Sequence, residues 1–263
     1  MTDSVKYEVD ARGVATVTLN RPALHNAFDK DVIASLSHLL TQLDTEPTVR
    51  IVIVTGEGKS FSAGADLNWM KKVAEYDKDK NKRDALELAE MYAKLDSLSK
   101  PTIARVNGAA FGGGVGLAAC CDIVIASTTA QFGLSEVKLG LVPAVISPYV
   151  IAAIGFRQAR RFFLTGETFS AATAQRIGLV HEAVKPEELD AAVTKQIDCL
   201  LLASQNAVRR CKKLVFDMAG DNHNRAQKIR EETAELIAEL RMSDEGREGL
   251  LAFLEKRSPN WQG

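Results

Sequence analysis

Apolar and polar residues alternate over "VATVTLN" (14–20), which predicts a strand with one buried face. Pro22 and Asn26 then signal a turn. Asp29 stands as a helix N-cap before Val32, Ile33, Leu36, Leu39, Leu40 and Leu43, which recur at helical spacing. "RIVIVTGEG" (50–58) is a β-branched run ended by glycines, the pattern of a buried strand, and "FSAGADLNWM" (61–70) is a small-residue loop leading into a helix. "KKVAEYDKDKNKRD" (71–84) is dense in charges of both signs and is expected to be a solvated segment. Helical spacing resumes at Leu86, Met91, Leu95 and Leu98. "PTIARVNG" (101–108) and "DIVIAS" (122–127) read as strands on either side of a glycine-rich helix.

From about residue 187 the pattern is almost entirely helical. The expected organisation is an α/β body, residues 1–190, carrying an all-helical part, residues 191–263. No Pro/Ser-rich linker separates them, so they are read as docked layers of one unit.

Composition changes this picture little. The 263 residues are 46% hydrophobic and 25% charged, enough to bury a sizeable core. A net charge of −1 gives no global attraction to nucleic acid or to an anionic membrane. The start "MTDSVKYEVD" is polar and no run approaches about 18 apolar residues, so a cytoplasmic protein is expected. Cys120, Cys121, Cys199 and Cys211 form no C-x-x-C pair, and His25, His38, His181 and His223 are scattered. Neither a metal site nor a disulfide framework is suggested, and the cysteines read as buried small apolar residues.

The candidate chemistry begins at "FGGGVGLAACCD" (111–122), where Gly112, Gly113, Gly114 and Gly116 crowd the first turn of a predicted helix. Glycine costs about 1 kcal/mol relative to alanine inside a helix. No lysine follows, so this is not a Walker loop, and the dinucleotide spacing fails because Leu117 or Ala119 stands where a glycine belongs. Two readings remain: close packing of the helix on a neighbour, or backbone N–H groups left open for an oxyanion. A second donor would come from "SAGAD" (62–66).

Four fragments occur in order: "GKSFSAGADLNWM", "VNGAAFGGGVGLAACCDIVIAS", "AQFGLSEVKLGLVP" and "FLTGETFSAATAQRIGLVHEAV". Together they resemble the enoyl-CoA hydratase/isomerase (crotonase) family, over nearly the whole chain from "VTLNRPALHNAF" to "AFLEKRSPNW". The resemblance implies an α/β spiral of ββα turns followed by helices that mediate trimerisation, in a homotrimer or homohexamer. It maps an oxyanion hole onto the backbone N–H groups of Ala65 and Gly113, which would bind the thioester oxygen of an acyl-CoA as an enolate forms. It places CoA contacts on Ala23, His25 and Ala27, on Ala63, Asp66 and Leu67, and on Gly114. Phe253 and Lys256 match positions that reach CoA from a neighbouring subunit. No metal or redox cofactor is implied; CoA enters as part of the substrate.

Many hydratases of the family carry two glutamates. One matches Glu136, but Gly116 stands at the position of the other. Three readings follow: a hydratase in which Glu136 is both base and acid, a Δ3,Δ2-enoyl-CoA isomerase using one glutamate, or an acyl-CoA-binding or RNA-associated protein without chemistry. "PAVISPYV" (143–150) replaces a glycine-rich turn common in the family. "CCD", "LSEVKLGLVPAVISPYV" and "RFFLTGE", together with Gly116, resemble the bacterial methylglutaconyl-CoA and isohexenylglutaconyl-CoA hydratases of leucine and acyclic terpene degradation, which favours the first reading. Gly116 is then expected to avoid a negative charge and to leave room for the branched substrate. Lys71, Lys72, Asn68, Ser147 and Tyr149 are candidate partners for its free carboxylate. Asp122 is read as structural.

Overall fold

The computed structural model describes residues 4–219 and 223–262. Its strands are β1 (Val5–Val9), β2 (Val14–Leu19), β3 (Ile51–Gly56), β4 (Ser60–Ser62), β5 (Thr102–Val106), β6 (Ala109–Phe111), β7 (Ile123–Ser127), β8 (Gln131–Gly133), β9 (Thr168–Ser170) and β10 (Glu182–Val184). Its helices are α1 (Lys30–Thr45), α2 (Leu67–Ala74), α3 (Lys78–Asp96), α4 (Gly113–Ala119), α5 (Ser147–Thr165), α6 (Ala171–Arg176), α7 (Leu189–Leu201), α8 (Gln205–Met218), α9 (His223–Met242) and α10 (Asp244–Glu255).

The chain winds as a spiral. In three successive turns, β3–β4, β5–β6 and β7–β8, the first strand joins a six-stranded sheet of order β1-β2-β3-β5-β7-β10. The second joins a four-stranded sheet of order β4-β6-β8-β9, and helical chain leads to the next turn. Pairing is parallel except between β1 and β2, joined by a tight turn, and between β8 and β9, joined through α5. Parallel neighbours need a crossover between them, which the helices supply. β3 is buried along its whole length, as its β-branched run predicts, and α1 begins where Asp29 accepts the Val32 N–H. The expected α/β spiral is the observed fold.

The main core lies inside the spiral and includes Phe28, Leu36, Tyr92, Phe132 and Ile146. The outer face of the larger sheet presents Val14, Ile51, Ile53, Ile103 and Ile125, covered by Leu189, Ala192, Val193 and Ile197 of α7. The boundary at residue 190 therefore falls at the start of a helix that is itself a layer of the body. α9 packs along α3, and α10 packs on α2 and on the turn Glu136–Leu139. α8 buries no residue within the chain and exposes Leu214, Val215 and Met218.

Two expectations need correction. The charged stretch 71–84 is not simply solvated: α2 ends at Ala74, Asp77 caps α3, and Asn81 and Asp84 are buried. Asp84 accepts a hydrogen bond from Trp69 Nε1–H at 3.3 Å and pairs with Arg241 of α9 at 3.1 Å. A partner supplied by a distant helix is what permits the buried charge. Among the cysteines, Cys120 and Cys121 are buried, and burial pushes the Cys121 thiol up to about 12, whereas Cys199 and Cys211 are exposed in this chain. Asp122 ties β5 to α8: its Oδ2 accepts from Thr102 N–H at 2.7 Å and from Lys212 Nζ at 2.8 Å.

Candidate active site

The glycine-rich segment enters α4 through Gly112, whose φ of +48° lies where glycine is favoured. Its N–H donates to the Gly133 carbonyl at 2.9 Å, holding it to β8. The absence of side chains lets four neighbours, Tyr92, Phe28, Ser62 and Ile146, close in. A Cβ at Gly113 would stand 2.6 Å from the Tyr92 hydroxyl oxygen and 2.8 Å from Phe28 Cε2. One at Gly114 would stand 3.1 Å from Ser62 Cβ, and one at Gly116 would overlap Ile146 and lie 3.0 Å from Tyr92 Cε1. The packing reading therefore holds at three positions. It leaves the Gly113 N–H without a protein acceptor among the described residues.

Ala65 reaches the same corner from the other loop. The Phe28 N–H donates to the Gly64 carbonyl and the Asp66 N–H to the Phe28 carbonyl, each at 2.7 Å, clamping the backbone on both sides of Ala65. The Ala65 N–H lies between these bonds and likewise has no protein acceptor among the described residues. A Cβ at Gly64 would lie 3.5 Å from the Gly113 nitrogen, so the two loops adjoin there. Two open donors near one corner suit an oxygen that gains negative charge.

Glu136 follows β8 and opens the turn Glu136–Leu139, which α10 supports where Gly249 approaches Leu139 and Gly140 approaches Glu245. The carboxyl lies against Gly112: a Cβ there would be 2.9 Å from Oε1. Oε2 is buried with no hydrogen-bond partner among the described residues. Burial raises this carboxyl from the ordinary glutamate range to about 7, only partly offset by a hydrogen bond from its own backbone. A carboxyl poised near neutrality can both take and return a proton.

The loops carrying the other candidates are zippered together. Ala63 N–H donates to the His25 carbonyl at 2.9 Å, Ser62 Oγ–H to the Asn26 carbonyl at 2.9 Å, and His25 Nδ1 lies 2.9 Å from Ser60 Oγ. Ala23, His25, Ala63 and Leu67 stay exposed along these loops. Ala27, Asp66 and Gly114 are buried beneath them. The Asp66 carboxylate caps α2, accepting from Asn68 N–H at 2.8 Å and Trp69 N–H at 3.1 Å, and pairs with Arg21 at 3.0 Å.

Phe253 is half-exposed and Lys256 exposed, at the end of a helix that rests on this chain's own α2. Of the candidates for a substrate carboxylate, Asn68, Lys71 and Lys72 are exposed on α2, Ser147 Oγ–H donates to the Ala144 carbonyl at 2.7 Å, and the Tyr149 ring lies 6.2 Å from that of Tyr92. The room expected at Gly116 is not open: Ile146 and Tyr92 fill it. Tyr92, Phe28 and Ile146 also pack around the glycine-rich turn. In the sequence they carry only the signal of buried apolar positions.

A groove of about 450 Å³ lies elsewhere, on the outer sheet face between Arg12, Arg105 and α7, and contains none of these residues.

Residues 10–263 match the family model described as enoyl-CoA hydratase/isomerase. The chain is 35% identical over 251 residues to a crotonyl-CoA hydratase of Syntrophomonas wolfei, covering 94% of both chains. It is 33% identical over 258 residues to a 2,3-dehydroadipyl-CoA hydratase of Escherichia coli, covering 95% of both. A crystal structure of an enoyl-CoA hydratase from Shewanella pealeana superposes with a TM-score of 0.80 at 45% identity, over 98% of this chain and 96% of that one. By its spiral fold and by these matches along nearly its whole length, the chain belongs to the enoyl-CoA hydratase/isomerase family.

Proposed function

We propose that the protein is an enoyl-CoA hydratase in which Glu136 is the one acid–base group, acting on a branched substrate of the 3-methylglutaconyl-CoA type in leucine or acyclic terpene degradation. The observation that carries the single-carboxylate mechanism is the buried Glu136 carboxyl, shifted to about 7, with a glycine at position 116. The thioester oxygen lies against the N–H groups of Ala65 and Gly113. Ionised Glu136 takes a proton from water as the water oxygen bonds to C3, and the C2=C3 electron pair moves toward the thioester as an enolate. Protonated Glu136 then gives its proton to C2. The net change is one water added across the double bond, and Glu136 is restored.

Several features support the branched dicarboxylic substrate. A glycine at position 116 keeps a second negative charge away from a free carboxylate on the substrate. The similarity to a hydratase named for a dehydroadipyl-CoA, an unbranched thioester with a free carboxylate, supports the carboxylate alone. Lys71, Lys72 and Asn68 are the exposed polar side chains of α2 available to meet that carboxylate. Lys256 and Phe253 meet CoA, and the exposed apolar face of α8 packs against other copies in a homotrimer or homohexamer.

The second reading is the isomerase, since one carboxyl near neutrality can also carry a proton between C2 and C4. Comparing kcat/KM on 3-methylglutaconyl-CoA, crotonyl-CoA and 3-hexenoyl-CoA separates the readings. Preference for the first supports the proposal, preference for the second keeps the hydratase and removes the branched substrate, and turnover of the third alone establishes the isomerase.

A further inference from the structure

Tyr92 is fully buried on α3, yet its hydroxyl is not idle: it donates to the Gly113 carbonyl at 2.9 Å. The ring edge lies beside Gly116, and the hydroxyl oxygen stands 2.6 Å from the position a Cβ on Gly113 would take. The residue is thus wrapped around the backbone that offers the Gly113 N–H. Phe28 crowds the same Cβ position of that glycine and, through its backbone, also clamps Gly64 and Asp66 around Ala65. The Glu136 carboxyl lies against the preceding residue: a Cβ on Gly112 would be 2.9 Å from its Oε1. The peptide that carries the Gly113 N–H is held on one side, where the Gly116 N–H donates to the Gly112 carbonyl at 3.2 Å, and Tyr92 adds an anchor on the other side of a glycine that has no side chain of its own, for a donor that must be held in place before the reaction.

We propose that Tyr92 is a positioning residue: by bonding the Gly113 carbonyl it fixes the peptide that follows Gly113 and so, through the shared Cα, the direction of the Gly113 N–H that meets the thioester oxygen. It rests on the oxyanion reading of Ala65 and Gly113 given above. Burial drives the Tyr92 phenol well above its ordinary range, so the hydroxyl keeps its proton and remains a donor throughout the working pH range.

Tyr92→Phe keeps the ring that fills the space at Gly116 and removes only the hydroxyl. The probe is butyryl-CoA labelled with carbon-13 at the thioester carbonyl, which binds without reacting. Its carbonyl stretch is read by infrared difference spectroscopy, beside kcat and KM for crotonyl-CoA. The expected result is a downshift on binding to the wild type, reduced by about half in Y92F, with kcat down at least about tenfold and KM changed by less than about twofold. A full downshift in Y92F overturns the positioning role, even if kcat falls. No downshift in the wild type overturns the oxyanion reading itself.

Discussion

Ile146 occupies the place where a side chain at position 116 would begin: its Cβ lies 2.9 Å from the position a Cβ on Gly116 would take, and its Cγ2 closer still. The missing carboxylate is therefore not an empty position awaiting a glutamate. The segment "PAVISPYV" delivers Ile146 into that space, so the two departures from the family pattern are one structural change.

Gly116→Glu should consequently act first on stability. Overpacking a well-filled core costs about 1–3 kcal/mol, and a buried carboxylate without a partner adds to it. Denaturant unfolding of G116E, Ile146→Ala and the double variant should show favourable coupling of more than about 1 kcal/mol, because the smaller residue admits the larger one. Additive losses would mean that the two residues do not share the space.

Glu136 should cost the fold stability at neutral pH. Its carboxyl titrates near 7 when folded, against 4.5 for the unperturbed group. Between those values the unfolded chain ionises while the folded chain still holds its proton, so stability is lost as pH rises through the window, by on the order of 3 kcal/mol in total. Glu136→Gln carries no charge at either end. Thermal melts should find E136Q and wild type alike at pH 4 and the variant more stable at pH 8. Equal melting temperatures at pH 8 would remove the strain assigned to this carboxyl.

Asp66 should matter through the fold and not through CoA. Asp66→Ala removes the cap of α2 and leaves Arg21 without one of its carboxylate partners, the other being Asp29 at 3.0 Å. The expected loss is about 3 kcal/mol. Calorimetric titration with CoA, at a temperature where the variant is folded, should give a Kd within about threefold of wild type, a change of less than about 0.7 kcal/mol. A large loss of affinity in a stable variant would make Asp66 a ligand contact.

The readable parts of this chain were those set by local pattern. The α1 cap at Asp29, the buried β3 strand and the order of strands and helices all follow from residues close in sequence. Glu136 and the two loops were found through ordered motifs, since no periodicity distinguishes a catalytic glutamate from a surface one. What escaped was tertiary. The pairing of Asp84 with Arg241 brings helices α3 and α9 together, so a charged stretch looked solvated until its distant partner was in place. Tyr92 and Ile146 read as core residues and are core residues; their proximity to Gly113 and Gly116 is a product of the spiral alone. The exposed face of α8 has apolar residues at helical spacing, the same pattern that α1 buries.

The most direct measurement is dehydration of 3-hydroxy-3-methylglutaryl-CoA, followed by the rise of conjugated enoyl-thioester absorbance, for wild type and Glu136→Gln across pH 5 to 9. The expected result is a wild-type rate governed by an ionisation near 7 and a loss of at least about a thousandfold in E136Q. Near-normal turnover by E136Q, or a wild-type profile flat through pH 7, would contradict a single carboxyl carrying the proton in both directions.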